Sequence, residues 1–241
     1  MVTEAYYPAR LSGELDQPLS RWLWLVKWLL AIPHFIVLVF LWLALVVTTV
    51  ISGFAILFTG RYPRSLFDYA VGVMRWTWRV SFYANGAFAT DRYPPFSLAD
   101  DPSYPATFTV DYPERLSRGL VLVKWWLLAL PHLIIVAVFA GGWGFGSNEG
   151  WRTFGGGGLI AILAIVAAVI LAVTGSYPRP LFDFLMGLNR WCFRVLAYVA
   201  LLTDAYPPFR LDNGGPDPAR PTPAPVLPTS PVNTPTPERV R

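Results

Sequence analysis

The sequence predicts an all-α membrane protein made by tandem duplication, each copy a transmembrane helical hairpin followed by an amphipathic interfacial helix. Three observations predict it. First, one stretch occurs twice, as YPRSLFDYAVGVMRWTWRV from Tyr62 to Val80 and as YPRPLFDFLMGLNRWCFRV from Tyr177 to Val195. Tyr, Pro, Arg, Leu, Phe, Asp, Gly, Arg, Trp, Arg and Val recur there at identical offsets, and such self-similarity is the mark of an internal repeat. Second, charge-free apolar runs extend from Trp28 to Gly60, from Trp125 up to Glu149 and from Leu159 to Gly175. Runs of this length read as bilayer-spanning. Third, 54% of the 241 residues are hydrophobic, only 14% are charged, and eleven are Trp.

In chain order, residues 1–20 form a polar lead-in, with Pro8, Gly13 and Pro18 among mixed charges. Membrane repeat 1 covers 21–98. It opens on Arg21, Trp22, Trp24, Lys27 and Trp28, residue types that anchor the edge of a span. Residues 22–60 are expected to be a hairpin of two spans turning near Trp42 to Val46, with one long tilted or kinked helix as the alternative. Residues 99–114 are a Pro-containing linker, and membrane repeat 2 covers 115–211. Its spans are expected near 119–140 and 159–175, divided by a Gly-rich loop at 141–158 whose Asn148, Glu149 and Arg152 must lie outside hydrocarbon. Residues 212–241 hold a run of prolines among Ala, Thr and Val and read as a polyproline II or disordered tail.

The repeated stretch reads as a helix over 65–89 and 180–203. Ser65 with Asp68 suits the first turn of one copy and Pro180 that of the other. At the helical period, Asp68, Gly72, Arg75 and Arg79 share a narrow sector, and so do Asp183, Gly187, Arg190 and Arg194. A charged line on an apolar, aromatic cylinder points to an interfacial or buried helix. Each copy then closes on tandem prolines, Pro94-Pro95 and Pro207-Pro208, which cannot continue a helix. Arg10, Arg21, Lys27, Arg61 and Arg64 flank the first hairpin, so the excess of basic residues predicts a multi-pass protein of the cell membrane with both termini cytoplasmic. Four spans are expected rather than six, because arginines at mid-bilayer depth cost about 3 kcal/mol each unless buried.

Six residues are candidates for an inter-repeat charge network. If the two helices cross antiparallel at Gly72 and Gly187, Asp68 meets Arg190 and Arg194, while Asp183 meets Arg75 and Arg79. The plainer reading pairs Asp68 with Arg64 and Asp183 with Arg179, four residues earlier. Arg61, Arg64 and Arg179 are candidates for lipid head-group contacts at the cytoplasmic leaflet. His34 and His132, each after a proline, are the only histidines; a haem held between them is the sharp reading, an imidazole bonded to a freed carbonyl the bland one. No catalytic set, resident cofactor, metal site or nucleic-acid-binding patch can be read, and a lone Cys192 excludes a disulfide framework.

The residues Tyr62-Pro63-Arg64, Leu66-Phe67-Asp68, Gly72, Arg75-Trp76 and Arg79-Val80, with the closing Asp91-Arg92-Tyr93-Pro94-Pro95-Phe96, resemble a bacterial family of uncharacterised integral membrane proteins, catalogued as a domain of unknown function. The resemblance covers both copies and implies no assigned activity or catalytic residue. The expectation is therefore a non-enzymatic accessory, assembly or interaction module, set in the lipid bilayer, whose Pro-rich tail meets a cytoplasmic protein. A small transporter or channel with its site at the repeat interface is the alternative, and a haem-binding redox subunit the third reading.

Overall fold

The computed structural model describes residues 6–141, 158–208 and 211. Most of the predicted Gly-rich loop and the whole of the predicted tail lie outside them. The described residues are mostly helical, in seven α-helices, with a π-helical turn and two strands.

The strands are a departure from the predicted all-α class. Strand β1 (Ala9–Gly13) pairs antiparallel with β2 (Ala106–Val110), Ala9 opposite Val110 and Leu11 opposite Phe108 at the centre. One lies in the predicted lead-in and the other in the predicted linker. Pro8 and Pro105 precede them, where the missing N–H costs a ladder nothing. Leu11 and Phe108 turn inward and are buried.

Helices α1 (Trp24–Leu30) and α2 (Ile32–Thr59) follow each other through Ala31, which keeps right-handed helical angles. Pro33 falls in the first turn of α2, where its ring is tolerated. The 28-residue α2 is the described helix long and apolar enough to cross a membrane, by length and composition. It ends on Gly60, whose φ of 71° suits a residue without Cβ. Pro63, extended, then leads into α3 (Arg64–Ala84).

The predicted hairpin within 22–60 is therefore corrected: Trp42 to Val46 is the interior of α2. Nothing in that segment breaks a helix, and α3 offers it one continuous partner. Tyr69 Oη donates to the Leu41 carbonyl at 2.9 Å and Trp42 Nε1 to Thr77 Oγ1 at 3.1 Å.

In the second half, α4 (Arg118–Val123), the π-helical turn Lys124–Leu128, α5 (Leu130–Ala140) and α6 (Leu159–Thr174) precede α7 (Arg179–Val199). Here too the predicted hairpin is not formed. The His132 and Phe139 rings lie 5.5 and 5.4 Å from Trp191, and Ile160 and Ala164 then cluster with Leu188 and Leu185. So α5 and α6 run in one direction, antiparallel to α7. Their ends abut, since a Cβ on Gly158 would overlap the Gly141 backbone.

Tyr62 Oη donates to the Ala200 carbonyl, and Tyr177 Oη to that of Ala87. Each start of a repeated helix is thus tied to the end of the other, so α3 and α7 are antiparallel. Trp78 against Phe193 and Phe82 against Phe182 fill the seam between them. One side of α3 carries Arg75, Trp78 and Arg79 toward the ribbon. The opposite side packs Trp76, Val80, Tyr83 and Ala84 on Ala31 and Leu38. The order of layers is ribbon, then α3 with α7, then α2 with α5–α6. On the outermost layer Phe40, Leu43, Val47, Phe54 and Phe58 of α2, with Ile162, Val169 and Val173 of α6, are exposed.

Candidate functional site

The costliest side chains lie between the ribbon and the repeated helices. Arg75 donates from Nε to the Phe108 carbonyl at 2.9 Å and from Nη1 to that of Leu98 at 3.0 Å. Arg79, fully buried, donates from Nη1 to the Ala99 carbonyl at 3.0 Å. Asp100 approaches both, at 3.5 and 3.6 Å. On α7, Arg190 Nε donates to the Leu11 carbonyl at 3.2 Å, the mate of Phe108 in the ribbon. The Arg194 guanidinium sits over the Tyr7 ring at 5.4 Å, as Arg79 sits over Tyr104 at 6.0 Å. Burial pulls the pKa of Arg75 and Arg79 below the ordinary arginine value, and Asp100 opposes that. Burial likewise raises the Tyr7 and Tyr104 phenols, against the pull of Arg194 and Arg79. A guanidinium offers five donors in a fixed fork. Spread over carbonyls of another segment, it pins that segment rather than a mobile ligand.

The six predicted network residues are distributed differently from the crossing that would join them. Asp68 pairs with Arg64 at 3.3 Å, both largely exposed, as the plainer i,i+4 reading has it. Arg75 and Arg79 meet Asp100, which was read as linker, while Asp183 makes no ion pair among the described residues. Gly72 faces Leu98: a Cβ there would stand 2.9 Å from the Leu98 Cβ. The physical reason is the ribbon. It covers the charged line of each helix, so the two lines face strands rather than one another.

Lys27, read as a membrane anchor, and Lys124, its counterpart in the second copy, are interior clamps. Lys27 Nζ, 2% exposed, donates to the Thr90 carbonyl at 2.6 Å and pairs with Asp91 at 2.8 Å. Lys124 Nζ meets the Thr203 carbonyl at 2.8 Å and Asp204 at 2.5 Å. The same carboxylates accept the backbone N–H of Ser20 and of Ser117, both at 2.6 Å. The signal was present, since each Lys and each Asp holds the same place in its copy.

Each histidine is enclosed by aromatics of its own half. His34 stacks on Phe96 at 3.9 Å and accepts at Nδ1 from Trp76 Nε1 at 3.0 Å. A neutral imidazole accepting at Nδ1 carries its proton on Nε2, which leaves no lone pair for iron. His132 lies 5.5 Å from Trp191 and 4.8 Å from Tyr206.

At the C-terminal end of α2 lies a surface pocket of about 480 Å³ lined by Thr59, Gly60, Arg61, Arg115, Leu116 and Arg118. Of the three predicted head-group residues, only Arg61 lines it. Arg64 is held by Asp68 and by the Tyr112 ring at 4.6 Å, and Arg179 is exposed elsewhere. Arg115 and Arg118 approach Arg61 across a sequence distance that hides the cluster.

The family model described as Domain of unknown function (DUF4389) matches residues 21–97 and 156–210, more than half of the chain. Neither a curated protein nor a solved structure matches it. The chain belongs to the DUF4389 family.

Proposed function

We propose that this member of the DUF4389 family is a non-enzymatic module embedded by one face in the cytoplasmic side of the cell membrane. In this reading its ribbon layer and its proline-rich tail are presented to a protein partner. The observation that carries the reading is the exposed apolar face shared by α2 and α6, on the side of the molecule away from the ribbon. Continuous apolar surface of this extent marks a membrane or protein contact. The non-enzymatic part is supported by the use of the buried cations: the described arginine and lysine bonds go to chain carbonyls and structural carboxylates.

The orientation follows from the antiparallel pair α3 and α7. Upright helices would set the ribbon, which bonds Arg75 halfway along α3, at mid-bilayer depth. Asp100, 48% exposed beside it, would then face hydrocarbon, at about 2.5–3.5 kcal/mol for such a carboxylate. Helices lying along the membrane keep Asp100 and the exposed Glu14 in water and sink only the apolar face. This replaces the four-span topology with a one-sided one. The transporter reading ranks second, because aromatic side chains fill the seam where a substrate site would lie.

Single cysteines in a Cys192→Ser background test it. In sealed inner-membrane vesicles, a membrane-impermeant maleimide should label Ser103→Cys and Glu14→Cys but not Phe40→Cys, Val47→Cys or Phe54→Cys. Reporters fused at Ser103, Gly150 and the C-terminus should all register the cytoplasm. A Gly150 reporter outside would overturn the one-sided placement and restore the spanning one. Rapid labelling at Val47 would overturn membrane embedding altogether. Pull-down from lysate with and without residues 212–241 tests the partner.

A further inference from the structure

Arg61, Arg115 and Arg118 come from two separate segments, and none of their guanidiniums makes an ion pair or hydrogen bond among the described residues. Arg21 and Arg179 share that lack but do not line the pocket. Arg10, Arg64, Arg92, Lys27 and Lys124 each hold a carboxylate. Three like charges brought around one pocket repel each other unless an anion joins them.

A structural role would be to cap the carbonyls at the end of α2, but several of those already have other partners. Leu116 N–H donates to the Gly60 carbonyl at 2.9 Å and Gly60 N–H to that of Ile56 at 2.7 Å. Thr59 Oγ1 serves the carbonyls of Ala55 and Arg61. The other half of the molecule supplies an internal control. Gly175 is the counterpart of Gly60, and by sequence position Ser176 corresponds to Arg61, Pro18 to Arg115 and Leu19 to Leu116. Only Arg21 matches, and it packs directly over Gly175. A helix end closed by a left-handed glycine is therefore built there without two of the three arginines, so that turn does not require them.

We infer that Arg61, Arg115 and Arg118 form a binding site for a phosphate group, held at the rim of the apolar face. Guanidinium forks match phosphate oxygens in geometry as well as charge. Exposed Phe58 directly precedes the pocket residue Thr59 on α2, and exposed Leu122 lies one turn beyond Arg118 on α4. A phosphodiester head group with its acyl chains on that face fits both; inorganic phosphate fits the cations alone. The lipid source rests on the membrane placement proposed above, whereas the phosphate chemistry does not.

The test uses the full chain, purified in a zwitterionic detergent. Two probes are titrated: phosphatidylglycerol against phosphatidylcholine in mixed micelles, and inorganic phosphate alone. Binding is read by native mass spectrometry and by the shift in unfolding temperature. Each basic residue near an anionic surface is worth about 1 kcal/mol, or roughly fivefold. Arg61→Gln with Arg115→Gln should therefore weaken phosphatidylglycerol binding roughly 25-fold. Arg64→Gln with Arg179→Gln removes the same charge outside the pocket and should change it less than about threefold. Circular dichroism of both double variants checks that they fold. Stabilisation by millimolar phosphate, lost in the first pair only, would support the site with a soluble anion as its source. Equal losses in both pairs, or no preference for either phosphate probe, would overturn the assignment even if the membrane placement stands.

Discussion

Replacing Lys27 by Met asks whether the buried lysines hold the fold or merely mark a membrane edge. Lys27 keeps about the same volume as Met, so packing changes little while three contacts vanish. These are the bonds to the Thr90 carbonyl and to Asp91, and the approach to the Tyr83 ring at 5.3 Å. Breaking a fully buried ion pair costs about 3–5 kcal/mol, because the surviving charge is left without a partner. Asp91 retains 28% exposure and still accepts from Ser20 N–H. Water and that second donor soften the loss to about 2–3 kcal/mol. In a chain of this length that is a drop in Tm of roughly 4–12 °C. The equivalent Lys124→Met should lose a similar amount, since its contacts have the same partners in kind. A double-mutant cycle isolates the pair: adding Asp91→Asn to Lys27→Met should recover about 1–2 kcal/mol by removing the stranded charge. Thermal unfolding in detergent, followed by circular dichroism, reads all four corners. A fall under about 2 °C for Lys27→Met, or strictly additive corners, would refute the clamp and return Lys27 to the role of an interfacial anchor.

Three further outcomes follow from the same packing. Gly72→Ala should cost about 1–3 kcal/mol, because its Cβ would press on the Leu98 Cβ and carbonyl that Arg75 holds; an unchanged Tm would mean that the 97–100 segment yields. Tyr177→Phe should destabilise by about 1 kcal/mol, and Tyr62→Phe by less, because their bonds to the opposite half measure 2.5 and 3.5 Å. The reverse order in chemical unfolding would contradict that geometry. Burial pushes the Cys192 thiol up to about 12, so iodoacetamide at neutral pH should leave it intact in the native chain and alkylate it after unfolding. Prompt native labelling would show that α7 opens there.

The starts of the repeated helices were legible to one residue, but the expected ends ran four or five residues too far: 65–89 and 180–203 were expected, and 64–84 and 179–199 form. Their motif carries its own period, whereas the tandem prolines stand beyond the ends that form. The hairpins were misread for a physical reason. A charge-free run longer than about 20 residues fits two short spans as easily as one long helix by length alone. The Gly-rich insertion in the second copy suggested a reversal; it does part α5 from α6, but both keep one course along α7. The strands were missed because each is five residues long. Their signal was a second register of the repeat: Tyr7-Pro8-Ala9 returns as Tyr104-Pro105-Ala106, at the same spacing that carries Lys27-Trp28 into Lys124-Trp125.

That register also explains why the search for acidic partners along the helices led astray. A helix sequence displays its arginines but not the carbonyls that will receive them, because every residue of any strand or loop can offer one. The ribbon brings the Leu11 and Phe108 carbonyls to Arg190 and Arg75, one from each copy to the other copy's helix. With the ladder passing over both charged lines, a direct Asp-to-Arg crossing between the helices has no room. A neutral carbonyl serves better than a carboxylate under cover, since it adds no second charge to desolvate. Where a carboxylate does join, as Asp100 does, it stays half exposed and is shared by two arginines. The buried cations thus lock the two copies to one another through main chain, and three cations at the end of α2 stay free to take an outside partner.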